Sequence, residues 1–207
     1  VAAEESDERL MLRFQAGDAG AFESLVRRHR GPVFNFLVRL MGDRPRAEDL
    51  LQDAWLKVVD AAPRWERRAR FTTWLYTIAR NLALDERRKS VHRKSESLEA
   101  IGADGRSLAD GLPGEGPAPD RGAEDALLRP RLEAALAALP EEQREVFLLR
   151  EYAGLPFQEI GRVTGVSENT VKSRMRYALE ALRRQLEALG VGPDDAAAAA
   201  EPRSAIR

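Results

Sequence analysis

The side chains with the clearest chemical purpose in this chain lie at 155–187, LPFQEIGRVTGVSENTVKSRMRYALEALRRQLE. Thr170, Lys172, Ser173, Arg174, Arg176 and Tyr177 put cations and hydroxyls on one short stretch. Arginine and lysine reach guanine edges and phosphates in the DNA major groove, and serine and threonine serve either. Such groups need a helix to hold them in register, and the spacing supplies one. Val171, Met175, Leu179 and Leu182 recur at i, i+4, i+8 and i+11 and predict its buried face. Ser167 is placed to cap it. Ahead of the cap, Gly165 stands where the chain must turn sharply, and glycine alone takes φ > 0 without strain. Ile160 and Val163 give the preceding helix an apolar face. Helix, glycine turn, serine cap and basic helix make a helix-turn-helix whose second helix suits the major groove. A basic stripe alone is common on any solvated helix; the turn and the cap favour the DNA reading.

Two further stretches carry usable chemistry. At 45–60, Ala47, Leu50, Leu51, Ala54 and Val58 predict a buried helix face. Asp49, Gln52, Asp53 and Leu56, at i, i+3, i+4 and i+7, share another face. An acidic stripe with one leucine can dock on a basic partner; from spacing alone it is equally a solvated face. At 71–89, Phe71, Leu75, Ile78 and Leu82 predict an apolar stripe, with Trp74, Thr77, Arg80, Asn81 and the run Arg87, Arg88, Lys89 off it. Cations interleaved with aromatics suit single-stranded nucleic acid, where charges track phosphates and rings stack on bases. Trp74 reads equally as core.

Charge is segregated behind a net value of −1. Residues 64–94 hold ten Arg/Lys against Glu66, Asp85 and Glu86, and 95–126 hold eight Asp/Glu against Arg106 and Arg121. A basic block, an acidic block and a basic helix point to polyanion contact at two separate places. The 207 residues contain no cysteine, which excludes disulfides and thiolate chemistry. His29 and His92 have no partner at metal-ligand spacing and are expected at the surface; no metal and no cofactor is expected. No apolar run approaches ~20 residues, so no membrane insertion is expected. The start, VAAEESDERL, lacks a signal pattern, and the expectation is a soluble cytoplasmic protein. Val1 points to a non-standard start or a trimmed chain.

The positioning elements read as all-α. Asp18 can cap a helix through Phe22, Leu25 and Val26; Gly31-Pro32 interrupts it, and Val33, Phe34, Leu37 and Leu40 continue it. Asp43 and Pro45 start the helix at 45–60, and Ala61–Arg70 is a loop containing Pro63 and Trp65. Residues 92–126 are rich in glycine and proline and poor in large apolar residues, the composition of a flexible linker. Residues 127–187 are helical again, with Pro130 and Pro140 near helix starts, and the tail at 188–207 reads as disordered.

On these residues the chain resembles the extracytoplasmic-function (ECF) group of the bacterial sigma-70 family of transcription initiation factors. The resemblance rests on AEDLLQDAWLKV at 47–58, RFTTWLYTIARNLALDERRK at 70–89 and LEAALAALPEEQREVFLLREYAGLPFQEIGRVTGVSENTVKSRMRYALEALR at 132–183. It implies two helical bundles, a sigma-2 domain at 7–91 and a sigma-4 domain at 127–187, joined by the acidic linker. It implies that Asp49, Gln52, Asp53 and Leu56 meet the β′ clamp of core RNA polymerase, with the β flap a second contact. It implies that Arg64, Trp65, Arg67, Arg68, Arg80, Asn81, Arg87 and Arg88 read and melt the −10 element. Ser167, Thr170, Lys172, Ser173, Arg174, Arg176 and Tyr177 would read the −35 element as duplex. Promoter DNA and an anti-sigma factor are the further partners implied, in a stress or envelope response, with no small-molecule substrate. Housekeeping members carry a tryptophan pair that wedges the −10 duplex open; Thr77 and Ile78 stand at the matching positions here. Melting should then rest on capture of an extruded base in the 61–70 loop, whose contacts must offset an unstacking cost of a few kcal/mol.

Two other classes fit less well. A response regulator would need a receiver domain of alternating strands and helices, and 1–90 has no strand pattern. A nucleic-acid enzyme would need a metal-binding carboxylate cluster or an activated nucleophile, or a glycine-rich phosphate loop. Asp49 and Asp53 with Gln52 between them fit docking better.

Overall fold

A computed structural model of the chain describes residues 5–67, 69–100 and 123–188. Eight α-helices make up these residues, and no strand occurs among them. The first unit holds α1 (Asp7–Gln15), α2 (Ala19–Met41), α3 (Arg44–Ala61) and α4 (Phe71–Ala100), with a single 3-10 turn at Ala62–Arg64. The second holds α5 (Ala123–Ala137), α6 (Glu141–Glu151), α7 (Phe157–Thr164) and α8 (Glu168–Ala188).

Local signals set the helix ends. The Asp18 carboxylate accepts from the Gly20 N–H at 2.9 Å, and Asp43 accepts from the Arg46 N–H at 3.0 Å. Each satisfies a donor that the first helical turn leaves free. Gly42 and Gly165 end α2 and α7 in the left-handed region, at φ 70° and 73°. Behind the second of these lies a steric requirement: a Cβ on Gly161 would stand 2.8 Å from the Val166 carbonyl oxygen. Any larger residue there would force the turn of the helix-turn-helix apart.

The core of the first unit stands where α2, α3 and α4 face one another. Phe36 of α2 meets Tyr76 of α4 edge to face, with centroids 5.3 Å apart. All five residues expected on the inner face of α3 are buried, and Trp55 joins them. In the second unit Ala135, Leu136 and Leu139 pack on Ala178 and Leu182 of α8.

Several expectations are corrected. Gly31-Pro32 does not interrupt α2, which runs unbroken with Pro32 inside it. A proline there costs about 3 kcal/mol, and the helix holds because Leu25, Val33, Phe36 and Leu37 are all completely buried around it. Likewise Pro130 lies inside α5 rather than near its start. On α8, Ala178 rather than Leu179 completes the buried face, and Leu179 is exposed. Seven residues are nearly two full turns, whereas eight swing the side chain about 80° away. Among the described residues the buried apolar positions of α4 are Phe71, Leu75, Tyr76, Ala79 and Ala83, with Ile78 and Leu82 half-buried. His29 is buried, not at the surface: its Nε2 lies 2.8 Å from an Asp7 carboxylate oxygen. Burial pushes that carboxyl upward, but hydrogen bonds and charge from His29 and Arg28 outweigh it and hold Asp7 below its ordinary value. Residues 92–100, read from composition as linker, continue α4. The rest of the linker reading, apart from the start of α5 at Ala123, and nearly all of the tail lie outside the described residues.

Candidate functional site

Three helices present the groups singled out in the sequence. On α3, Asp49, Gln52, Asp53 and Leu56 are all exposed along one face. Leu56 is 62 % exposed, and Val59 continues the apolar part of the stripe. Among the described residues neither Asp49 nor Asp53 has an ion-pair partner. A leucine left in water beside free carboxylates and an amide is a surface with its contacts still to make.

The 61–70 loop behaves differently from its composition. Arg64, Arg67 and Arg70 are exposed, but Trp65 is buried. Its ring leans toward Trp74, with centroids 6.3 Å apart, and its carbonyl accepts from Gln15 Nε2 at 2.9 Å. The same amide donates to the Ala62 carbonyl at 2.7 Å. Trp65 therefore anchors the loop to α1 and α4 and leaves no ring face open for stacking. Arg68 lies outside the described residues.

On α4, Asn81 and Arg88 are exposed, Arg88 with Asp85 at 3.5 Å. Arg80 and Arg87 are held across the two units. Arg80 grips the Glu145 carboxylate of α6 with two nitrogens, at 2.5 and 3.2 Å, and Glu145 is only 4 % exposed. Arg87 pairs with Glu141 of the same helix. One turn pair above, Thr73 Oγ1 donates to the buried Glu159 of α7 at 2.7 Å, and Arg162 holds that carboxylate's other oxygen at 2.7 Å. Thr73, Arg80 and Arg87 are seven residues apart and so form one stripe along α4. Beside it, Arg39 of α2 donates to Glu133 of α5 at 2.7 Å and lies 4.3 Å over the Tyr152 ring.

The helix-turn-helix is built as its sequence reads. Ser167 Oγ accepts from the Thr170 N–H at 3.2 Å and caps α8. Lys172, Ser173, Arg176 and Tyr177 are exposed. Arg174 is tied to Glu142 of α6 at 2.6 Å, and Lys172 to Glu168 at 2.7 Å. Arg176 has no carboxylate partner among the described residues; its guanidinium lies 4.9 Å from the Tyr177 ring. The structure thus separates two arginines that the sequence leaves alike.

Sequence reasoning missed the carboxylates that face α4, Glu141, Glu145 and Glu159, and beside them Glu133 of α5, which faces Arg39 of α2. One signal was available. In EEQREVFLL the spacing of Glu145 to Leu148 and Leu149, at i+3 and i+4, puts that acid on the apolar side of α6. A carboxylate on a buried face requires a cationic or hydrogen-bonding partner. Among the described residues no group of three or more His, Asp or Glu side chains is placed to hold a metal ion, and no helix is long and apolar enough to cross a membrane.

Residues 25–93 match Sigma-70 region 2, and residues 129–182 match Sigma-70, region 4. CarQ, an RNA polymerase sigma factor of Myxococcus xanthus, is 35% identical over 85% of this chain and 95% of its own length. The ECF RNA polymerase sigma factor SigL of Mycobacterium tuberculosis is 36% identical over 85% and 94%. SigW of Bacillus subtilis, also an ECF sigma factor, is 29% identical over 84% and 92%. In fold the chain is similar to CnrH, solved in complex with the cytosolic domain of CnrY (TM-score 0.64, 22% identity, 89% of this chain and 99% of that one). It is similar also to the sigma factor RpoE of Bartonella quintana, solved with the anti-sigma factor NepR (TM-score 0.61, 23% identity, 80% and 96%). The chain belongs to the ECF sigma factors of the sigma-70 family, and its function is in transcription initiation.

Proposed function

We propose that the three helical faces divide the work of a sigma factor. Asp49, Gln52, Asp53 and Leu56 of α3 dock on the β′ clamp of core RNA polymerase. The exposed arginines of the 61–70 loop, with Arg80, Asn81, Arg87 and Arg88 of α4, take the −10 element as a single strand. An amide such as Asn81 pairs with a base edge only where that edge is accessible, and the cations track the backbone. Trp65 serves this site from below by fixing the loop. Ser167, Thr170, Lys172, Ser173, Arg174, Arg176 and Tyr177 of α8 read the −35 duplex, while the second unit also touches the β flap. The protein acts beside polymerase in the cytoplasm, under an anti-sigma factor, in a stress or envelope response.

The observation that carries this reading is the state of α3: a solvent-exposed leucine flanked by carboxylates without ion-pair partners among the described residues, on a helix whose opposite face is fully committed to the core. That division of labour suits a docking helix. Run-off transcription with purified core polymerase tests the whole reading. A promoter-specific transcript that requires this chain is expected; core that binds the chain but gains no promoter selectivity would sink it.

A further inference from the structure

The loop between α3 and α4 is tied at both ends by one helix that lies outside it. At its start, Gln15 Nε2 of α1 donates to the carbonyls of Ala62 and Trp65, at 2.7 and 2.9 Å. At its end, the Phe71 N–H that opens α4 donates to a carboxylate oxygen of Glu8, also of α1, at 3.1 Å. Glu8 and Gln15 are seven residues apart and so share one face of α1. Between the two ties Glu66, Arg67 and Arg70 stand exposed. We propose that Gln15 and Glu8 are positioning residues of the −10 site: they hold the base-capturing loop in one shape and thereby set which base it accepts. This rests on the reading of the 61–70 loop as a −10 contact.

Gln15 is exposed, so its side chain fills no core position. The Phe71 N–H belongs to the first turn of α4, where a helix leaves its donors free and favours a negative charge. Helix α1 is in turn fixed to α2. Asp7 lies 2.8 Å from His29 Nε2 and pairs with Arg28, Arg28 donates to the Glu5 carbonyl at 3.0 Å, and Met11 is fully buried. The ties therefore run from a packed helix pair to the two ends of a short loop. A loop that captures a flipped base has to offset the unstacking of that base. If its own chain were loose, it would also lose conformational freedom on binding; a loop already ordered by folding does not. Discrimination among bases needs the same rigidity, since a wall that yields accepts the wrong base.

The full chain bound to core polymerase is offered a pool of single-stranded oligonucleotides of random sequence, which is sequenced before and after capture. Enrichment then reports base preference for any promoter. Gln15→Met keeps the length of the side chain and loses the donor, and Glu8→Leu loses the acceptor. Each should cut the preference at the captured base several-fold, while core affinity and −35 duplex binding stay at the parent values. Glu8→Gln still presents an oxygen to the Phe71 N–H and should keep the parent profile. Leu40→Val trims a buried residue of α2. It lies eleven residues, about 16 Å along the helix, beyond the His29 that meets Phe71. It should lower the melting temperature and leave the profile alone. An unchanged profile in both Gln15→Met and Glu8→Leu would overturn the proposal, and so would the same relaxation in Leu40→Val. Arg64→Ala with Arg67→Ala separates this failure from that of the reading beneath it. If that pair weakens strand capture while the α1 variants change nothing, the loop is the −10 site and only the ties are idle. If it too changes nothing, the loop does not meet the strand.

Discussion

The charged faces of α3 and α4 lie on neighbouring helices of one bundle, yet one is open and the other is covered. Asp49 and Asp53 face water beside an exposed leucine, whereas Arg80 and Arg87 already hold carboxylates from α6. The difference teaches that a charged face is not by itself an open one. The face proposed for polymerase is exposed throughout, whereas in the face proposed for DNA Arg80 and Arg87 are engaged while Arg64, Arg67, Arg70, Asn81 and Arg88 are exposed.

The most damaging break should come on the open face. Asp53→Arg reverses a charge that has no intramolecular role, so the fold should stand while core polymerase binding falls tenfold or more, about 1.4 kcal/mol. A fluorescence titration with core measures it, and circular dichroism should stay at the parent value. Parent-like core affinity would remove α3 from the interface.

A smaller version of the same contrast lies within α8. Arg176, which has no carboxylate partner among the described residues, should read a base edge, and Arg176→Ala should cost about 1 kcal/mol on −35 duplex with relaxed specificity. Arg174, held by Glu142, should act on phosphate if at all, so Arg174→Ala should weaken all sequences slightly and reduce the salt slope. Competition assays on duplexes with single base changes separate the two. Equal losses from both changes would erase the distinction between engaged and free arginines.

The inner side of α4 offers a control. Tyr76 is buried with its hydroxyl unpartnered among the described residues, and burial pushes the phenol well above its usual value. Tyr76→Phe removes a polar atom that makes no hydrogen bond and should leave stability unchanged or raise it by about 1 kcal/mol. Thermal melting would read this, with strand binding unaffected because the outer face is untouched. A clear loss of stability would mean that the hydroxyl has a partner.

The smallest effect is expected at Asp7. Its folded carboxyl lies below the ordinary 3.8, so its contribution is fully present above that value and lost as pH falls through the lower folded one. Asp7→Asn should flatten acid unfolding below about pH 4 and also lower stability at neutral pH. An identical acid limb in both proteins would remove Asp7 from the linkage.

How far the sequence could be read follows the same division. The two faces of α3 were legible apart from Trp55, because a helix with one face in the core and one in water keeps a clean binary pattern. The helix-turn-helix was legible for a different reason: Gly165 and Ser167 are local signals that owe nothing to the rest of the molecule. On α4 the pattern blurs because the helix is covered on two sides, by its own bundle and by α6 and α7. Apolar periodicity then overstates Ile78 and Leu82 and misses Ala79 and Ala83. Trp65 and His29 were misplaced because their partners, Trp74 and Asp7, lie on other helices. A local rule reads Pro32 as a break because it cannot weigh the burial around it.

The grip of Glu145 on Arg80 has a thermodynamic consequence that reaches beyond either residue. If the chain exchanges between an arrangement with this pair and one without it, every ligand that prefers the second assists every other that does so, by the same factor in both directions. A ligand of Arg80 that displaces Glu145 would thereby assist any other that parts α4 from α6, and one that clasps the paired arrangement would oppose both. One guanidinium and one carboxylate would then set the sign of each coupling, and a single equilibrium between two shapes would fix its size.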